Sequence, residues 1–239
     1  MKNLTKIKEK RVRDDRKSNN KAGRKAFTLA EVLITLVIIG VIGALTVPAL
    51  IQNTQKQEYV SALKKAYSTL SQAAQMIAAE EGAPKCDDGG WACSAQEAHN
   101  MIKKYINNVK ECEKKEGCYN PKYFTQLSGR KEGIDRDSDW EYYNLIFADG
   151  MVFGIASGWV SKNCSGSSGN FDRGVCVNSY IDVNGEKGPN TIGRDVFGFF
   201  IKEDGALYPT GCGHISSCNQ NANGWECACR VLTEGAMNY

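Results

Sequence analysis

Glu31 makes the sharpest chemical demand in this chain. It is the only charged side chain between Ala26 and Gln55, in a run long enough to cross a bilayer, for which about 20 apolar residues suffice. A carboxylate carried into hydrocarbon is costly unless it is paired or kept near the edge. Glu31 therefore either rests at headgroup level or waits for a cation. A second set is sulfur: Cys86, Cys93, Cys112, Cys118, Cys164, Cys176, Cys212, Cys218, Cys227 and Cys229, with none earlier in the chain. A third is oxygen: Asp182, Asn184 and Asp195 in a turn-rich stretch. Those donors suit a hard cation such as calcium, with backbone carbonyls completing the shell. Asn184-Gly185 and Gly188-Pro189-Asn190 also form turns with no metal at all.

Other chemistry finds little support. Zinc favours Cys-x-x-Cys pairs or cysteine with histidine, and the chain has no Cys-x-x-Cys and only His99 and His214. The histidines stand outside any nucleophile pattern, and the Gly-x-Ser sequences lack a strand-to-helix elbow. The reading is that the protein is not an enzyme. Trp91, Trp159 and Trp225 could stack on sugars, but tryptophan beside cysteine in a small domain is more often packing.

Ten cysteines allow 945 complete pairings, so the sequence does not derive their connectivity, and the pairs that follow are those local closure favours. Local closure joins Cys86 to Cys93, Cys112 to Cys118 and Cys164 to Cys176. The last four then pair among themselves. Cys227 and Cys229 are too close for easy mutual bonding, so each needs a partner further off.

Charge divides the chain. Residues 1–26 hold eleven Lys/Arg and three Asp/Glu, a balance of +8, while the remaining 213 residues balance at −5. A basic tail can mean nucleic acid. Beside an apolar span, the positive-inside rule accounts for it better, so no nucleic-acid partner is expected for this leader. The cysteines point to an oxidising compartment. Both arguments put the leader in the cytoplasm and Cys86 onward outside. An ordinary secretory signal has a shorter apolar core and a small-residue cut after it. A plain uncleaved anchor is the stronger rival.

The segment from Gly23-Arg24-Lys25-Ala26 through Phe27-Thr28-Leu29-Ala30-Glu31 and on into the apolar run resembles the cleavage and methylation region of type IV prepilins and type II secretion pseudopilins. Counted from Phe27, Glu31 is fifth, Gly40 fourteenth and Pro48 twenty-second, places where many type IV pilins carry the same residues. Ala26 stands where glycine is usual. The resemblance covers about residues 21–80. It implies that a prepilin peptidase cuts between Ala26 and Phe27 and that the Phe27 amine is then methylated. It implies that Glu31 guides assembly with other copies or pilin-like subunits, on an inner-membrane platform, from a store in membrane lipid. It also implies a helix loosened between Gly40 and Pro48 in a filament. Major pseudopilins bind calcium near their C-terminal end, which adds weight to Asp182, Asn184 and Asp195 as a calcium site.

The positioning elements follow from periodicity. Residues 27–51 read as a membrane-spanning helix. In residues 52–81, Val60, Leu63, Tyr67, Leu70, Ala74 and Ile77 recur at spacings of three and four, one apolar stripe. Gly82 and Pro84 close that helix. Ser94-Ala95-Gln96-Glu97 reads as a capping box, opening a short helix through Ala98, Ile102, Tyr105, Ile106 and Val109. Residues 128–139 read as a surface loop. Asp149-Gly150 and Glu203-Asp204-Gly205 sit between apolar runs and read as hairpin turns, with a third strand over 177–183. The tail from Gly211 shows little periodicity.

The expected fold is α+β: a long N-terminal helix, membrane-spanning then amphipathic, packed on a small antiparallel sheet, with a disulfide-rich C-terminal part. The expected organisation is a cleaved leader at 1–26, an apolar helix at 27–51, its amphipathic continuation at 52–81 and an extracytoplasmic domain at 82–239. The expected role is a subunit of a type II pseudopilus or type IV pilus in a bacterial envelope. The alternative is a membrane-anchored binding module that never polymerises.

Overall fold

A computed structural model describes residues 27–86, 89–106, 109–112, 123–133, 142–168 and 172–239. Residues 1–26, Cys118 with its expected bond to Cys112, and residues 134–139 of the expected 128–139 loop lie outside the described residues. The chain divides into two compact units after Pro48.

The first unit carries the start of α1 (Leu29–Glu80). Its large apolar side chains are exposed throughout, from Phe27 at 84% to Val47 at 51%. Helical hydrogen bonding continues past Gly40, Gly43 and Pro48. Threonines on this stretch turn inward to the backbone: Thr35 donates to Val32 O and Thr46 to Ile42 O, both at 2.9 Å.

The second unit, Ala49–Tyr239, is built on an antiparallel sheet. Its strands are β1 (Val109–Cys112), β4 (Tyr142–Phe147), β5 (Val152–Ala156), β6 (Gly166–Ser168), β7 (Asp172–Asp182), β8 (Val196–Lys202) and β9 (Leu207–Pro209). The order is β1-β4-β5-β7-β8-β9, with β6 also on β7. The Asp149-Gly150 turn joins β4 to β5 and places Ile146 opposite Val152. The Glu203-Asp204-Gly205 turn joins β8 to β9, with Ile201 opposite Leu207.

One face of this sheet meets α1. Val60, Leu63, Ala66, Leu70, Ala73, Ala74 and Ile77 are buried against Leu145, Phe153, Ile155, Ile181, Phe197, Phe199 and Ile201. Tyr67, expected in the same stripe, is half-buried and stacks on Phe199 with ring centroids 5.8 Å apart. The helix α2 (Ala95–Lys104) completes this layer and is capped by Ser94, whose hydroxyl accepts from Glu97 N at 3.2 Å.

The run Val196 to Ile201 is buried at every position. Alternation fails because the second face is covered too. Phe124, Val152, Tyr180, Ile192 and Val196 form a second cluster there, flanked by Tyr142, Trp159 and Trp225. A small hairpin, β2 (Tyr123–Thr125) with β3 (Lys131–Gly133), belongs to this cover. The C-terminal part is divided: Trp225 flanks this cluster, while α3 (Ala228–Glu234) sends Ala228 and Val231 into the core on the α1 face.

Three expectations change. Val109 is in β1, paired with Phe147, and not at the end of a helix: α2 ends at Lys104, with Tyr105 as its C-cap. Residues 131–133 are a strand, held as one by pairing with β2 rather than by their own composition. The tail contains α3, whose buried Ala228, Cys229 and Val231 make only one turn of stripe.

Candidate functional site

Two places gather the residues singled out above. The first is the N-terminal end of α1. Thr28 is the residue before the helix, and Glu31 lies in its first turn. Thr28 N and Thr28 Oγ1 donate to Glu31 Oε2 at 2.8 and 2.9 Å, and Glu31 N donates back to Thr28 Oγ1 at 3.2 Å. That is a reciprocal capping box, satisfying two of the amides that a helix start leaves without partners. Thr28 has a role that sequence reading missed, although the Thr-x-x-Glu spacing carries the signal. One carboxylate oxygen takes both donors. Among the described residues Oε1 makes no hydrogen bond, so the group keeps an acceptor for an incoming cation. Phe27 stands one residue ahead, 84% exposed.

The second place is the loop from β7 to β8. Here Asp182, Asn184 and Asp195 do come together, and both aspartates are fully buried at 0% exposure. Asp182 Oδ1 accepts from Asn184 N at 3.1 Å and Gly185 N at 2.8 Å. Asp195 Oδ2 accepts from Asn190 N at 2.8 Å, and its Oδ1 from Thr191 N at 2.5 Å. Asn184 Nδ2 donates to the hydroxyl of Tyr59 on α1 at 3.2 Å. The loop is thus tied to the helix that covers the sheet. Burial pushes the Asp195 carboxyl above the usual range, and the Thr191 and Asn190 amides hold it back only in part. Burial first, then the Asp195 charge, pushes the Tyr59 hydroxyl up.

A hard cation wants six to eight oxygens, roughly. Three of the four carboxylate oxygens here face backbone N–H groups, whose positive ends oppose a cation. Among the described residues no three His, Cys, Asp or Glu side chains stand close enough to share a metal. The donor set suits turn closure: each carboxylate satisfies amides that the turn would otherwise bury unpaired.

Sulfur staples the second unit. The bonds are Cys86–Cys93, Cys164–Cys176, Cys212–Cys229 and Cys218–Cys227. The last two are nested, so Cys227 and Cys229 each reach back across the C-terminal loop. The tryptophans pack. Trp91 is 7% exposed and donates to Gly82 O at 3.3 Å. Trp159 and Trp225 meet edge to face at 6.0 Å, and Trp225 Nε1 donates to Glu132 Oε1 at 3.1 Å.

The fold and the N-terminal end define a class: an α+β protein whose long N-terminal apolar helix begins with a prepilin-type segment. A family model for the prokaryotic N-terminal methylation motif matches residues 21–47. The described first unit carries a helix long and apolar enough to cross a membrane, and with the motif it marks a single-pass membrane anchor. The chain belongs to DUF6613, a family of unknown function whose model matches residues 49–209. The two matches meet where the compact units divide, at Pro48. No curated protein and no solved structure matches the chain.

Proposed function

We propose that this protein is a prepilin-type structural subunit that assembles into a type II secretion pseudopilus or a type IV pilus. The observation that carries this reading is the methylation motif set on a capped Glu31, ahead of an apolar surface that nothing in the first unit covers. A prepilin peptidase removes residues 1–26 at Ala26/Phe27 on the cytoplasmic face, and the freed Phe27 amine is methylated. Residues 27–51 hold the subunit in the inner membrane, with residues 52–81 and 82–239 outside, where disulfides persist.

On assembly, the Phe27 amine of one subunit meets the Glu31 carboxylate of a neighbour. Charge pairing in an apolar setting rewards one register and penalises the others, since an unpaired ion there is strongly disfavoured. The contact is head-to-tail, so it propagates as an open helix at the cell surface or in the periplasm. Gly40, where an added methyl would meet no atom within 4 Å, and Pro48 are where the helix loosens as neighbours pack. An inner-membrane platform supplies subunits. The reading assigns no catalytic role to the chain.

Mass spectrometry of the mature N-terminus tests this reading. The expected species begins at a methylated Phe27. An intact Met1 on the membrane-bound protein would overturn it and leave a plain anchored module.

A further inference from the structure

The turn after Trp159 carries a motif that the filament reading does not use. Asn163-Cys164-Ser165 is an Asn-x-Ser sequence with x other than proline, the acceptor pattern for N-linked sugar. Its other occurrence, Asn3-Leu4-Thr5, lies in the leader and outside the described residues. The pattern is short and recurs by chance, so its surroundings decide.

Those surroundings present the amide. Asn163 and Ser165 are both exposed, while Cys164 between them is buried at 1% and bonded to Cys176. Cys164 adopts φ +55°, the left-handed region that few non-glycine residues occupy. The conformation folds the motif back on itself. Asn163 Oδ1 accepts from Ser165 Oγ at 2.6 Å, from Ser165 N at 3.2 Å and from Ser161 Oγ at 3.1 Å. Every one of these donors goes to the oxygen. Among the described residues Nδ2 makes no hydrogen bond, so the nitrogen points away from the loop's own network. The turn is anchored on both sides, by the disulfide and by Cys86 N donating to Lys162 O at 2.8 Å.

Three donors on one carbonyl oxygen draw charge toward it and make the amide N–H more acidic. Attack by an amide nitrogen needs that proton removed. The +2 hydroxyl, the element of the motif with no packing role here, supplies the shortest of the three bonds.

We propose that Asn163 is an acceptor for N-linked glycosylation, the donor being a sugar activated as a nucleotide- or lipid-linked diphosphate. In the transfer, Nδ2 forms a bond to the anomeric carbon of the sugar. The anomeric carbon–oxygen bond to phosphate breaks, and the diphosphate leaves with the electron pair. The Nδ2 proton passes to a base on the transferase. No oxidant or reductant enters.

The test is peptide mass spectrometry on full-length protein from its native host, with fragmentation that keeps side-chain adducts in place. The expected result is a sugar mass on Asn163, lost in Asn163→Gln and Ser165→Ala and kept in Ser165→Thr. A Thr hydroxyl preserves the motif, so its behaviour separates recognition from loop structure. Bare Asn163 in the native protein overturns the proposal. So does a sugar that persists in Asn163→Gln, which would sit on a serine hydroxyl. The mature N-terminus is read in the same sample, so failure here and failure of the filament reading are told apart.

Discussion

Tyr180 donates a 2.7 Å hydrogen bond to Asn144 Oδ1 across the full width of a strand. The strand crossed is β5, where Gly154 lies directly opposite both residues. A Cβ at Gly154 would sit 2.3 Å from Tyr180 Cζ and 2.4 Å from Asn144 Oδ1. Glycine is required here by the ring that lies over it. The arrangement also brings Tyr180 beneath Phe124 and Trp159, at 5.4 and 5.9 Å. One buried tyrosine thereby joins the sheet to the cover on its second face.

Two substitutions test this joint separately. Gly154→Ala overpacks the site, and a loss of about 1–3 kcal/mol is expected from that mechanism. Tyr180→Phe keeps the ring and strands the Asn144 oxygen, at a cost of about 1–3 kcal/mol. Urea denaturation of the second unit reads both. A Gly154→Ala variant as stable as wild type would show that the ring can move aside.

The C-terminal staples invite a different measurement. Cys212–Cys229 closes a separation of 17 residues and Cys218–Cys227 one of 9 inside it. Cross-links over longer loops remove more disorder from the unfolded chain, with typical gains of roughly 2–4 kcal/mol. Replacing Cys212 and Cys229 together by serine should therefore cost more than replacing the inner pair. Thermal melts of the two double variants decide it, and the reverse order would mean that packing around Cys227 outweighs loop entropy.

Much of this fold is legible in the residue order, where local chemistry and tertiary structure agree. Asp149-Gly150 marks its hairpin because only a few residues tolerate that turn. The Val60 to Ile77 stripe marks its helix because one side of it meets a sheet. Lys131 and Glu132 carry no strand signal; they are a strand by pairing with β2, and Glu132 also accepts from Trp225, 93 residues away. Val109 continues an i, i+3 spacing by coincidence. Tyr180 reads only as a strand residue, since its partners come from three other segments. At the N-terminal end, the methylation motif is legible by resemblance. The cap from Thr28 is legible from spacing alone and shows how the Glu31 carboxylate serves the helix first.

The Asp195 carboxyl gives a pH dependence with a definite sign. Its folded-state value is raised, with burial the main cause. A raised group contributes stability that is full below the unfolded value of about 4 and is lost as pH rises through the folded value. Asp195→Asn removes that dependence, whatever it does to the baseline through the Thr191 and Asn190 amides. The stability of wild type minus that of the variant should therefore fall as pH rises, in a window opening at about 4. Melts across that window check it; a difference that grows with pH would mean that the amides outweigh burial.

Calcium is the natural rival for the same loop. If Asp182, Asn184 and Asp195 held it, saturating metal would stabilise the folded state by mass action, about 2.7 kcal/mol at a hundred times the dissociation constant. The amides already occupying Asp182 Oδ1 and both Asp195 oxygens lead to the opposite expectation. Melting temperatures of the second unit with calcium and with a chelator should coincide. A calcium-dependent rise would show that the loop reopens around the ion.

Glu31 has two duties that a single alanine substitution cannot separate. It accepts from Thr28 N and Thr28 Oγ1, and in the proposed filament it meets a neighbour's amine. Glutamine divides them. Its side-chain oxygen can still accept at the third helical position, where capping boxes use either residue. It carries no charge to neutralise the amine. If the cap alone matters, Glu31→Gln assembles and Glu31→Ala does not. If the charge pair selects register, both variants lose their leader normally and neither enters filaments. The second outcome is expected, read by comparing mature N-termini with filament yield. Wild-type yield from Glu31→Gln would remove the charge pair from the account while leaving Thr28 and its helix start intact.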